Sequence, residues 1–186
     1  LDKNARRAAF IATNDLKDKT GNTYSLYYWG GKGSAIQAAA GGVAGIPKGW
    51  IINENARLTF GEKTDRLFFG TSPAYKLKDT TILDEDRPNV DVWHFAEGKL
   101  HSAQLVGKSR DEKKNYMAVF HSGANRVVQL ATDKMPDVQL IDKGDASKVV
   151  AVSNLPYELE SMWESNPLRY DVWLVDIMTG ASSMMK

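Results

Sequence analysis

The chain has 186 residues, 42% of them hydrophobic and 25% charged, with no cysteine and a formal net charge of +1. That composition suits a globular domain large enough for one sizeable core. The near-neutral balance excludes a charge field that recruits nucleic acid or anionic membrane, and the missing cysteine excludes disulfides, thiolate catalysis and cysteine-bound zinc within these residues. No run approaches the ~18 apolar residues of a membrane span. The opening stretch LDKNARRAAF has neither Met nor an apolar signal core.

Aromatic and β-branched residues fall in short runs broken by Gly, Asn, Asp and Pro, which is strand-and-turn chemistry. In chain order the expected strands are Arg6–Thr13, Tyr24–Trp29, Ser34–Ala40, Trp50–Phe60, Asp65–Ser72 and Val90–Phe95. Asn115–Ser122, Arg126–Thr132, Val138–Ile141, Ser147–Ser153, Tyr170–Asp176 and Ala181–Lys186 follow. SAIQAAAGGVAG has helix-favouring alanines, but Gly41 and Gly42 cut it short and Ile36 leaves almost no apolar stripe, so a strand and a Gly-rich loop are expected. KSRDEKKN at Lys108–Asn115 mixes acids with bases and reads as a solvated loop. Little room remains for long helices.

Three stretches share one layout: ARRAAFIAT…YSLYYWGGKGSAIQAA, TDRLFFGTS…NYMAVFHSGANRVVQLA and ASKVVAVSN…YDVWLVDIMTGASSMM. In each, a polar turn leads into an apolar strand; a variable loop, an aromatic-rich strand, a tight turn (GGKG, SGAN, DIMTG) and a last strand follow. The expected fold is all-β: antiparallel four-stranded meanders forming three to four blades of a partial β-propeller. Approximate blades are 1–45, 46–132 with an insertion near 73–114, and 133–186. The triplet Asp-Val-Trp occurs at Asp91–Trp93 and again at Asp171–Trp173. Alternation puts Val172 and Leu174 on one face and Asp171, Trp173 and Val175 on the other, with Trp173 packed between blades. Asp91 and Asp171 are expected to bond nearby backbone.

TDRLFFGTSP, NVDVWHF, NYMAVFHSGANRVVQLATDKMPDV and VSNLPYELESMWESNPLRYDVWLVDIMTG together resemble the N-terminal propeller of bacterial serine peptidases of the prolyl oligopeptidase/dipeptidyl peptidase IV family. The blades are also similar to those of TolB-like proteins. The resemblance implies a larger propeller, of which this chain is a part, from a periplasmic or extracellular peptidase. It implies an accessory domain that stands over an α/β-hydrolase domain of the same parent chain and admits peptide substrates to a catalytic serine. The nucleophile elbow Gly-x-Ser-x-Gly is missing from these residues; the nearest match, GTSPA at Gly70–Ala74, ends in Ala and carries Pro73. The family's adjacent pair of amine-binding glutamates has no counterpart, since Glu158 and Glu160 are not neighbours.

No catalytic residue, cofactor site or metal site is expected. His94, His101 and His121 show no metal-ligand spacing, and DEDR at Asp84–Arg87 lacks the alternation and central Gly of a calcium loop. GGKGSA at Gly30–Ala35 fits neither the dinucleotide nor the Walker pattern and reads as a hairpin turn. The acid-rich loop Leu155–Pro167 sets Tyr157, Met162 and Trp163 beside Glu158, Glu160 and Glu164. It either folds back on the blades or faces a partner domain or ligand. The functional expectation is a non-catalytic gate for a separate hydrolase domain. The alternatives are a stand-alone TolB-like propeller that binds protein partners and, third, a carbohydrate- or lyase-type propeller.

Overall fold

The computed structural model describes residues 1–13, 23–74, 96–161 and 168–185, with the isolated residues 83, 85, 90, 92, 94 and 163. The architecture is antiparallel β with little helix. Strands β1 (Ala8–Thr13), β2 (Tyr24–Trp29) and β3 (Ile36–Ala40) form the first sheet, in the order β1-β2-β3. The second has the order β4-β6-β7-β8, from β4 (Trp50–Ile52), β6 (Arg66–Pro73), β7 (Tyr116–His121) and β8 (Arg126–Gln129), with β5 (Thr59–Phe60) also on β6. The third has the order β12-β11-β10-β9, from β9 (Asp137–Gln139), β10 (Lys148–Ser153), β11 (Asp171–Asp176) and β12 (Ser182–Met184). Each sheet comes from one contiguous stretch, its neighbouring strands are antiparallel, and tight turns join β2 to β3, β7 to β8 and β11 to β12. These turns use left-handed backbone, as at Asn125 between β7 and β8 (φ 47°) and Gly180 between β11 and β12 (φ 73°).

The stretch Trp50–Phe60 departs from the single strand expected of it. β4 pairs with Thr71–Pro73 and β5 with Leu67–Phe68 along the same edge of β6, so one lane is interrupted at 53–58. Asn53 causes the interruption. Its side chain is fully buried, donates from Nδ2 to the Lys114 carbonyl (3.1 Å) and accepts from the Asn55 N–H (2.8 Å), which turns the chain out of the lane.

The second sheet lies between the other two. One of its faces presents Leu67, Phe69, Ala118, Phe120 and Val127 to Leu26 and Ala39 of the first sheet. The other presents Phe68, Val119 and Val128 to Val149, Ala151 and Val175 of the third. Both faces of its strands are therefore apolar, as the unbroken run RLFF requires. Trp173 packs beside Val175 on the core between the second and third sheets, as strand alternation predicts. The strand expected over Val90–Phe95 cannot be placed, because Asp91, Trp93 and Phe95 lie outside the described residues.

The helices were not foreseen. Lys108–Glu112, expected in a solvated loop, form the last part of helix α1 (His101–Glu112). Good helix formers (Ala103, Gln104, Leu105, Lys108, Arg110, Glu112) favour it, but only Gly107 is buried, so no apolar stripe betrays its period. A second, single-turn helix α2 covers Glu158–Ser161.

At the end where β6 and β10 begin, the sheets are bound by a recurring polar contact. Arg7, just before β1, donates to the carbonyls of Thr64 (2.9 Å) and Gly61 (3.3 Å) in the turn that leads into β6 of the second sheet. Arg66, first in β6, donates to the carbonyls of Gly144 (3.1 Å) and Ala146 in the turn that leads into β10 of the third. Asp145 of that turn accepts from the N–H groups of Lys63 (2.9 Å) and Thr64 (3.0 Å). Burial acts against the Asp145 carboxylate, yet these donors hold it below the usual range.

Candidate functional site

The longest connections join β1 to β2 (14–23), β6 to β7 (74–115) and β10 to β11 (154–170). They leave from the end opposite the arginine contacts. Two of them touch there, with Lys99 Nζ 3.3 Å from Glu158 Oε1 and Gly98 packed under the Glu158 side chain. Tyr157 donates to Asp171 Oδ1 (2.8 Å), which ties the third connection to the first residue of β11. The described stretch Leu155–Ser161 thus folds back on its own sheet through Tyr157, and Asp171 meets a side chain where backbone was expected.

Two recesses open at this end. The first, about 840 Å³, runs along β9, the edge strand of the third sheet; Asn115, Met117, Asp137, Val138, Gln139 and Tyr170 contribute to its wall. It combines an apolar floor with amide, carboxylate and phenol groups and lies beside a sheet edge. Such a place suits an extended, partly apolar segment that can add to the edge by main-chain hydrogen bonds. The second, about 760 Å³, lies between α1 and Glu158 and is lined by ions of both signs, among them Lys99, Lys108, Asp111 and Glu112.

Around these recesses the connections expose large apolar side chains. Val106 of α1 is 88% exposed and Trp163 is 82% exposed. Leu100, Leu105, Leu155, Leu159 and Leu168 are exposed as well. Exposed apolar side chains thus lie on both of the touching segments.

The individually considered residues do not converge. Glu158 pairs with Lys99 and Glu160 with Arg169 (3.0 Å), so the two glutamates serve separate ion pairs. Gly70–Pro73 of the GTSPA stretch belong to strand β6, with Ser72 buried opposite Ile51; no strand-to-helix turn presents that hydroxyl. Among the described residues, Ser72 Oγ is the buried side-chain polar atom left without a hydrogen-bond partner. GGKGSA forms the β2–β3 hairpin turn, where Trp29 Nε1 donates to the Gly33 carbonyl (2.9 Å). Among the described residues no group of three or more His, Asp or Glu could hold a metal ion, and no helix is long and apolar enough to cross a membrane. Met162, Glu164, Asp84, Asp86 and Arg87 lie outside the described residues.

The three histidines separate. His94 Nδ1 accepts from the Ala96 N–H (3.2 Å), and His101 opens α1. His121 is buried on β7, where Nε2 donates to the Ile177 carbonyl at 3.0 Å. Burial pushes its pKa below the ordinary value; the Ile177 carbonyl opposes this, and Arg66 and Arg126 add to it. An unfolded histidine titrates near ~6.5, so below that pH the unfolded chain binds more protons than the folded one. Stability is therefore full above about pH 6.5 and falls as the pH drops through the lowered folded value. His121→Gln is expected to flatten that slope in urea titrations between about pH 7 and 5; an unchanged slope would show that His121 does not set it.

Sequence reasoning missed Arg7, Arg66 and Asp145 as the residues that order the sheets. The signal was present: a cation stands immediately before the apolar core of each repeat, in RRAAF, DRLFF and SKVVAV. A scan of protein-family models and a search of curated proteins find no match for this chain.

Proposed function

We propose that the chain is a non-catalytic β-propeller region of a serine peptidase, which gates and positions peptide substrates for an α/β-hydrolase domain outside these 186 residues. The observation that carries this reading is the apolar surface on the touching 74–115 and 154–170 connections, with Val106 and Trp163 almost fully exposed. A surface of this kind at one end of a sheet stack fits a partner domain that covers it. The recess along β9 fits the extended peptide such a gate would pass. The sequence resemblance supplies the identity of the covering domain.

The test has two parts. The purified chain should leave chromogenic Xaa-Pro and Xaa-Ala amides intact; turnover blocked by serine reagents would refute the non-catalytic assignment. The gene should encode, in frame with this chain, Gly-x-Ser-x-Gly followed by Asp and then His. A gene without them leaves the second reading, a TolB-like propeller that binds protein partners, which the edge-strand recess along β9 favours in its own right.

A further inference from the structure

The second sheet carries a row of three basic side chains across its strands. Arg66 on β6 stands opposite His121 on β7, and His121 stands opposite Arg126 on β8. All three reach the third sheet. Arg66 donates to the Gly144 and Ala146 carbonyls, His121 to the Ile177 carbonyl (3.0 Å) and Arg126 to the Met178 carbonyl (2.6 Å). The row therefore fastens one sheet to the next. The two guanidiniums are always charged, so the imidazole between them is the member that can change. Directly opposed residues of a sheet have Cβ atoms about 4.5–5.5 Å apart, and like charges placed so repel. In the third sheet the corresponding pair is Lys148 and Asp176, a base opposite an acid. No such acid stands opposite His121. The carboxylates at this end serve other groups: Asp65 lies 3.3 Å from Arg7, Asp145 accepts from the Lys63 and Thr64 N–H groups, and Asp176 accepts from those of Met178 and Thr179 (2.9 Å each). Asp142 adjoins Lys143.

A proton taken up by His121 enters at Nδ1, because Nε2 already carries the hydrogen given to Ile177. It leaves that bond in place but sets a third cation between two others, on a residue only 5% exposed. A buried charge with no carboxylate beside it is strongly unfavourable. Relief comes when the ring reaches water, which breaks the Ile177 bond. We propose that His121 is a proton-sensitive fastening of the second sheet to the third: acid opens this seam and leaves the seam between the first and second sheets closed. Among the described residues that other seam holds no histidine, since His94 and His101 belong to the 74–115 connection, and its polar contact, Arg7, does not titrate. Met117 and Val138, one from each sheet, pack on the acid-sensitive seam and also wall the recess along β9, so parting the sheets separates the two walls. Both sheets lie within the chain, so the seam is complete here whatever precedes or follows these residues, and neither the peptidase nor the propeller reading enters.

Hydrogen exchange of the purified chain in low urea, corrected for the intrinsic effect of pH, separates local opening from global unfolding, because local opening exposes less surface and depends less on urea. At about pH 7 the core amides of all three sheets should exchange only with global unfolding. At about pH 5 the amides of β10 and β11 should exchange through an opening that urea barely affects, while those of β1 and β2 still follow global unfolding. Below about pH 6.5 that opening constant should rise by up to about tenfold per pH unit, the limit for one proton, and level off once the closed form is protonated. His121→Gln, which can still donate to the Ile177 carbonyl but cannot titrate, should abolish the rise. Arg126→Glu sets a carboxylate opposite His121 and should shrink the rise; only the slope with pH is read, so a general loss of stability does not obscure it. Third-sheet amides that exchange at about pH 5 only with global unfolding, an equal local opening in the first sheet, or a rise that survives His121→Gln would each overturn the proposal. An undiminished slope in Arg126→Glu would overturn the row of charges as its cause.

Discussion

Phe120→Ala is expected to lower the unfolding free energy by about 3–5 kcal/mol, the usual range for emptying an aromatic core site. Phe120 is fully buried on β7 between the first and second sheets, and its ring lies 5.7 Å from that of Tyr28. Domains of this size are stable by only ~5–15 kcal/mol, so the loss would take a large share of the total. Phe68→Ala should act alike on the opposite seam, where Phe68 is buried with Val119, Val149 and Val175. The two side chains lie on opposite faces of one sheet, so their effects should nearly add. Urea denaturation of both single variants and the double variant measures this. A loss under about 1 kcal/mol for either would mean that its seam is not a core.

Gly70→Ala is expected to destabilise by about 1–3 kcal/mol through overpacking. A Cβ at Gly70 would stand 2.2 Å from Ala56 Cβ and 2.9 Å from Asn115 Oδ1. The 53–58 excursion therefore folds against the sheet only because β6 has no side chain at that point. Ala56→Gly removes the nearer clash, so Ala56→Gly with Gly70→Ala should recover part of what Gly70→Ala loses. Thermal melts of the four proteins form a double-mutant cycle. If the pair is no better than the sum of its members, the close approach of Ala56 to Gly70 is not the cause.

This contact also shows why a strand that is plain in the sequence breaks in the structure. Trp50–Phe60 alternates well enough to read as one strand. Asn53 and Ala56 leave the lane because partners distant in the chain, Lys114 and Gly70, are there to receive them. Helix α1 is the opposite case: its propensities are adequate, but it buries almost nothing, and a helix without an apolar face carries no periodic mark. The candidate site was only partly legible. The 154–170 loop stood out by composition. Its contact with the 74–115 connection through Lys99 and Glu158 pairs residues 59 positions apart, which no local pattern encodes.

By itself the sequence determined most strands among the described residues and their tight turns, though not the break within Trp50–Phe60, because short alternating runs and residues that tolerate positive φ, such as Asn125 and Gly180, are local facts. It also determined the β-rich, antiparallel class, since tight turns such as those between β2 and β3, β7 and β8, and β11 and β12 leave the strands they join no other pairing. Only the tertiary structure decided which sheet faces which, how Arg7, Arg66 and Asp145 tie one sheet to the next, and which apolar side chains stay outside. Those depend on the meeting of segments tens of residues apart, where burial and hydrogen-bond geometry select among patterns that look alike along the chain.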